Sequence, residues 1–505
     1  VNATLARVSI TLRRNADVVA LVAIPFAVYL SSMRWYPDGW DAGEMQTVPY
    51  ILGITHPTGF PLFVLAGWVF SHAVPISTVA WRMNLFCALA ITASTLCVRA
   101  LAIGFGANRY LASLAAFAFS LTGAVWLVAV HADVHALTLA FTLGSLVALQ
   151  RALTANSARA LTVSAALTGC ALAVHLNAIF IAPFVLVGAI VIRRELRPLD
   201  WLRGVGAFVV PLLSYLYLPL RSQMVIDQHL DPNWDLPLPY TFGADWGQFP
   251  VNTWAGFVRM ITGASVAQHY ASAAVNPLHW PGYAVDWLTR VHAEVSLVAV
   301  VLALLGVLAL AMRRPLMLVV VAAGFASVPF AIAYVPNESD VFRYLLPSFA
   351  MTMAVAAAGP QLVKPRRVAQ AATFAFAAVF AFIAVSDYAT HHAVRAYTIT
   401  RGYQDAIDIV RDHTPDGAIV FSSWLDLTAL GYGKYIDNSL GSRRVVGGWP
   451  SDLLPTFRGL TPKYRVYVLA DVIIGPNLAQ YIPNAWQHEV GTWSQRRLVE
   501  IVPRP

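Results

Sequence analysis

Two carboxylates three residues apart, Asp41 and Glu44, follow directly on the first membrane-length apolar segment of this chain. On any helical turn that spacing puts both on one face, pointing into the same space. With a His-Pro and an arginine at the same membrane surface, that is the layout of a site. Solvated loop charges are the plainer alternative. The pair lies in the stretch from Arg34 to Asn84, RWYPDGWDAGEMQTVPYILGITHPTGFPLFVLAGWVFSHAVPISTVAWRMN. Pro37, Gly39, Gly43 and Pro49 argue for a bent loop there. After His56 and Pro57, the run from Phe60 to Phe70 is apolar but too short to span, which suits an interfacial helix.

A second constellation is H-x-D-x-H at His131, Asp133 and His135. Nitrogen and oxygen ligands two apart would suit a divalent metal if that piece were extended. In a helix, residues two apart do not share a face. His175, in AVHLN, is a further polar residue at the outer end of an apolar segment, where helix packing would serve equally well.

The elements that must position these groups are membrane spans. With 58% hydrophobic and 12% charged residues and a mean hydropathy of +0.61, the chain departs from soluble domains, whose charged fraction is about 25%. Stretches of roughly 20 apolar residues predict about eleven transmembrane helices, near 17–33, 83–103, 110–130, 134–149, 160–175, 178–192, 202–220, 295–312, 316–335, 344–362 and 368–386. Residues 1–386 therefore read as the transmembrane module. The segment carrying Arg7, Arg13 and Arg14 reads as an uncleaved first helix.

Alternating those spans puts Arg13 and Arg14, Arg99 and Arg109, Arg151 and Arg159, Arg193, Arg194 and Arg197, Arg313 and Arg314, and Lys364, Arg366 and Arg367 on one side. By the positive-inside rule that side is the cytoplasm. Asp41, Glu44, Asp133, His175, Glu338 and Asp340 fall opposite, so chemistry is expected outside the cytoplasm. The net charge of +8 is scattered in short clusters between apolar segments, which argues for topology and against a nucleic-acid partner. Cys87, Cys97 and Cys170 all lie inside apolar segments and imply neither a disulfide framework nor a thiolate metal site.

Two pieces remain outside the membrane. The extracytoplasmic loops are 34–82 and 221–290, the latter rich in Pro and Trp. Residues 387–505 alternate helix and strand: TRGYQDAIDIVRDHTP, GAIVFSS, LTALGYGKYIDN and KYRVYVLA. That alternation predicts a small extracytoplasmic α/β C-terminal domain.

GWDAGEMQTVPYILGITHPTGFPLFVLAGWVFS followed by VAWRMNLFCAL resembles the signature of a protein O-mannosyltransferase-like family of polytopic glycosyltransferases in the GT-C superfamily. The family pattern runs roughly G-D-S-G-E, then L-G-I-x-H-P-P-G-Y-P, then W-R-x-N. Here Ala42, Thr58 and Phe60 replace its Ser, second Pro and Tyr. Weaker echoes continue in ADVHAL at Ala132, AVHLNAIFIAP at Ala173, YLYLPLRS at Tyr215, ESDVFRYLLPS at Glu338 and PDGAIVFSSWLD at Pro415. The resemblance implies an α-helical GT-C fold and an inverting glycosyltransferase that moves a sugar, mannose foremost, from a polyprenyl-phosphate carrier to a hydroxyl acceptor.

Residue by residue, Asp41 matches the family's first-loop acidic residue and is the implied base, with Glu44 beside it. The leaving group would be a lipid phosphate, whose charge needs fixed cations or donors. Arg82, Arg221 and Arg343 lie on the carboxylate side and offer bidentate forks, with His56 a further donor. Each arginine could instead snorkel to the interface or pair with a nearby acid. The family pattern near Asp133 is closer to E-V-Y, so His135 departs from it; Asp133, His135 and His175 read as acceptor-side or supporting groups, with no metal assigned.

The implied partners are the polyprenyl-phosphate sugar, a protein or glycan acceptor, and membrane lipid. The implied place is a bacterial cytoplasmic membrane with the site facing the periplasm or exterior, and no cofactor is required. A lipid or glycan acceptor is the alternative within the class. A transporter is the alternative from another class, and predicts duplicated halves and mid-membrane charges; a non-catalytic receptor is a third.

Overall fold

The computed structural model describes residues 15–236, 251–264, 280–334, 341–363, 365–391, 394, 401–447, 453–472, 474–493 and 495–503. Arg7, Arg13, Arg14, Glu338, Asp340 and Lys364, named above, lie outside them. Among the described residues, five helices are long and apolar enough to cross a membrane: Val79–Phe105, Val134–Ala155, Pro198–Asp227, Phe342–Leu362 and Arg366–Thr390. Two bent pairs raise this to seven if each is one span. The chain is an integral membrane protein of helical build. Length and apolarity alone do not reach the eleven spans expected. Shorter apolar helices, among them Ala16–Ser32, Ala158–Val174, Leu176–Val191 and Met317–Ala331, stand where further spans were expected. Ala158–Val174 packs against both Val134–Ala155 and Pro198–Leu212.

Helix starts follow local chemistry. Asn108 accepts from the N–H groups of Tyr110 and Leu111, and Ser157 from that of Ala160, each satisfying donors that the first turn leaves open. The span expected over 110–130 is instead broken. Arg109–Ser120 and Gly123–Val130 meet at 67°, because Thr122 is extended (φ −60°, ψ 149°). Gly123 then passes so close to His391 that a Cβ would come within 2.3 Å of its Nε2. The bend leaves His131 and Asp133 extended before the Val134–Ala155 helix.

The C-terminal part is α/β. Its five-stranded sheet has the order β2-β1-β3-β5-β4, with β1 Ile419–Ser422, β2 Arg444–Gly447, β3 Val466–Ala470, β4 Gln487–Trp493 and β5 Arg496–Ile501. β1, β2 and β3 are parallel, while β5 runs antiparallel to β3 and β4. β1 and β3 are buried along their whole length, as parallel strands covered on both faces must be. Leu427 and Leu430 of helix Trp424–Tyr435 cover one face with Val420 and Leu469. Phe457 and Leu460 of helix Leu453–Leu460 cover the other with Phe421 and Val468.

This sheet is tied to the membrane module. Helix Trp424–Tyr435 packs on the first-loop helix Trp40–Ile51. Glycine makes the contact possible: a Cβ on Gly39 would lie 2.4 Å from Leu425 O, and one on Gly43 would lie 2.7 Å from Thr428 Oγ1. The loop that follows residue 220 docks on the same domain, through Asn233 Nδ2 to Val445 O at 2.9 Å and Arg444 to Asp235 at 2.7 Å.

Candidate active site

The first loop is built on a buried polar network. Arg34 pairs with Asp38 at 2.5 Å, the Asp38 N–H donates to Gln46 Oε1, Gln46 Nε2 donates to Asn84 Oδ1, and Asn84 Nδ2 donates to Arg34 O. All four residues are almost wholly buried, so the closed circuit specifies one loop conformation. Trp81 stacks on Trp35 with centroids 5.5 Å apart. Arg82 donates to the carbonyls of Ser71, Ile76 and Ser77. The WRMN segment thus ties the loop to the Val79–Phe105 helix.

Helix Trp40–Ile51 then presents its two acids differently. Glu44 is 0% exposed and takes His56 on both oxygens: the His56 backbone N–H donates to Oε1 at 2.7 Å, and its Nδ1 meets Oε2. Burial works against a charged His56, but the Glu44 and Asp41 carboxylates outweigh it and raise the imidazolium to about 9. The ring stands edge-on to Phe60 and Trp424. The side chain of Asp41, by contrast, is 39% exposed. Its Oδ1 accepts from the Trp424 indole N–H at 2.8 Å, and its Oδ2 faces Arg343 Nη1 at 3.8 Å.

Arg343 joins this centre to the second one, with its Nε 3.3 Å from Asp133 Oδ2. Asp133 caps the Val134–Ala155 helix: Oδ1 accepts from the His135 N–H at 2.8 Å and lies 2.9 Å from His135 Nδ1. Burial alone would raise the Asp133 carboxyl, yet Arg343, His135 and His131 hold it well below the usual carboxylate range. Cys87 hydrogen-bonds the Asp133 backbone through both its N–H and its carbonyl. His135 Nε2 is buried with no hydrogen-bond partner among the described residues. His175 lies against it, centroids 4.6 Å apart, and stacks on Phe60. Burial, aided by His135 and His56, keeps the His175 imidazole well below its ordinary range. Its Nδ1 accepts from the Asn177 N–H at 3.1 Å, so the proton of the neutral ring is on Nε2.

Of the residues singled out from sequence, Asp41, Glu44, His56, Asp133, His135, His175 and Arg343 come together; all but Glu44 line one small chamber of about 40 Å³. Arg82 stands apart, its guanidinium engaged by three backbone carbonyls. Arg221 stands apart too: its Nη2 donates to Ile51 O at 3.3 Å, at the far end of the first-loop helix and about 15 Å along its axis from Asp41. Glu44 does not stand open as a substitute for Asp41. Among the described residues, the acids and histidine whose ligand atoms lie within 4.8 Å of one another are Asp41, Glu44 and His56, rather than the H-x-D-x-H residues. There His56 and Glu44 already engage each other. Trp424 was not singled out from sequence, although the PDGAIVFSSWLD echo contains it.

Arg343 and His131 also wall a larger cavity of about 590 Å³ between the first loop and the C-terminal domain. Gly39, Trp40 and Ala42, which flank Asp41, form part of that wall.

Residues 41–197 match the protein O-mannosyl-transferase TMEM260 N-terminal domain. A protein O-mannosyl-transferase TMEM260 from Mus musculus is 32% identical over 224 residues, 42% of this chain and 31% of that protein. One from Dictyostelium discoideum is 29% identical over 110 residues, 21% of this chain and 13% of that protein. The chain thus matches less than a third of the length of these relatives. In overall fold it is similar to ArnT from Cupriavidus metallidurans, with TM-scores of 0.53 to the apo state and 0.52 to the state bound to undecaprenyl phosphate. Both share 13% identity and cover 96% or more of each chain. The GT-C fold expected from the sequence is borne out by this likeness.

Proposed function

We propose that the chain is an inverting glycosyltransferase that moves mannose from a polyprenyl-phosphate carrier to a serine or threonine hydroxyl of a protein, on the side of the membrane away from the cytoplasm. The observation that carries this reading is Arg343, held between the carboxylates of Asp41 and Asp133 beside the imidazolium of His56. The acceptor oxygen attacks the anomeric carbon from the face opposite the phosphate, the bond from that carbon to the phosphate oxygen breaks, and Asp41 receives the hydroxyl proton. The phosphate keeps the electron pair and leaves with one more negative charge. Arg343 and His56 supply fixed donors for that charge, which is worth more where water is excluded. A single displacement needs one base, whereas a double displacement needs a nucleophilic carboxylate as well; Asp41 is the exposed acid of its pair.

The names of the mouse and Dictyostelium relatives support mannose and a protein acceptor. The ArnT structure with undecaprenyl phosphate supports a polyprenyl-phosphate donor at the level of the fold. The arginine-rich connectors support the orientation. The test is direct: purified protein in liposomes is given polyprenyl-phosphate mannose or a sugar nucleotide, each with a serine- and threonine-bearing peptide. Label should pass to the peptide from the lipid donor alone. Transfer from the nucleotide, or from neither, would refute the reading.

A further inference from the structure

We infer that the crevice outside the carboxyl ends of β1 and β3 is where the acceptor polypeptide lies, presenting its hydroxyl to Asp41. The inference rests on the transferase reading above and names the acceptor's site. The topology comes first. From β1 the chain crosses by helix Trp424–Tyr435 to β2 on one side, then by helix Leu453–Leu460 to β3 on the other. The two helices cover opposite faces of the sheet. β1 and β3 therefore flank a topological switch point, and in open α/β sheets ligands bind in the crevice outside the strand ends there. The 590 Å³ cavity lies at this place: Leu425 follows β1, Asp471 and Val472 follow β3, and Gln495 and Arg496 open β5. Its volume falls in the range of about 300 to 1,000 Å³ usual for ligand clefts.

The opposite wall is the first turn of the catalytic loop helix, Gly39, Trp40 and Ala42, and Arg343 is shared with the small chamber that Asp41 lines. The charges argue for a neutral polar occupant. Arg34 is paired with Asp38, and Arg496 with Asp426 in a bidentate contact at 2.6 to 3.0 Å. A phosphate would have to displace one of these partners, at the cost of leaving a buried carboxylate unpaired. A polypeptide needs hydrogen-bond donors and acceptors together, and the exposed Gln495 amide on the cavity wall offers both.

The test measures KM for a serine- and threonine-bearing peptide and for polyprenyl-phosphate mannose separately. Val472→Trp, which fills the crevice mouth, should raise the peptide KM at least about tenfold with the donor KM unchanged. Gln495→Ala on the neighbouring wall should shift it the same way, and serves should Val472→Trp fail to fold. Val490→Trp, on the edge strand β4, should change neither constant. An unchanged peptide KM in the crevice variants, an equal rise in Val490→Trp, or transfer to a free glycan with none to peptide would overturn the inference while leaving lipid-donor transfer intact. Absence of any transfer by the unaltered protein would instead fell the transferase reading, and the acceptor site with it.

Discussion

The indole N–H of Trp424 donates to Asp41 Oδ1 at 2.8 Å across 383 positions of sequence. The C-terminal domain therefore contributes a side chain to the carboxylate that the membrane module presents. A hydrogen bond to a charged group contributes about 1.5 to 3 kcal/mol. Here it also fixes which oxygen of Asp41 stays open to an incoming hydroxyl. Trp424→Phe keeps the ring and removes the donor. It should lower kcat by about tenfold or more, with the melting temperature little changed. Unchanged turnover would mean the contact is packing alone.

Arg343 and Arg82 should separate cleanly. Arg343→Lys keeps a charge but loses the fork that reaches Asp41 and Asp133 together, so donor use should weaken while the fold holds. Arg82→Ala removes three hydrogen bonds to carbonyls, each worth about 0.5 to 1.5 kcal/mol. It should lower thermal stability while leaving the donor KM of the folded fraction unchanged. A rise in donor KM for Arg82→Ala alone would exchange the two roles.

The pH dependence follows from His56. Its pKa in the folded protein is raised to about 9 from an ordinary value of about 6.5. The stability and phosphate attraction it supplies are thus fully present below about 6.5 and are lost as pH rises through about 9. Donor KM should rise across that upper limb, and His56→Gln should flatten the rise. A donor KM that climbs instead between pH 5 and 7 would contradict the assignment.

Divalent cations give a further check. Glu44 accepts from His56 on both oxygens, which leaves Asp41, Glu44 and His56 arranged for each other. Chelation by EDTA should therefore leave the transfer rate unchanged. A loss restored by added manganese or magnesium would mean that the trio opens to hold an ion.

The membrane-embedded fold, the α/β character of the C-terminal part and the proximity of Asp41 to Glu44 were legible because they depend on composition and short-range spacing. The division of labour between the two acids was not. It is set by His56, twelve residues on, whose turn carries it back onto Glu44 alone. Arg82 and Arg343 are the same residue type on the same side of the chain, and local carbonyls decide that the first is structural. Trp424 could not be paired with Asp41 from sequence, since that contact requires two domains to be placed against each other. Strand β2 has only Val445 and Val446 between Arg444 and Gly447, and β4 carries a polar, partly exposed pattern, so neither has the apolar run that marked β1 and β3.

The central claim is that Asp41 is the base, and the turnover of Asp41→Asn in liposomes with polyprenyl-phosphate mannose and peptide tests it most directly. The variant keeps the shape and can still accept from Trp424, but it cannot take up the proton. Turnover should fall by about 10² to 10⁴ with the donor KM near that of the unaltered protein, whereas Glu44→Gln should act mainly through loss of the His56 contact. Near-normal turnover in Asp41→Asn, measured beside an active unaltered protein, would contradict the account.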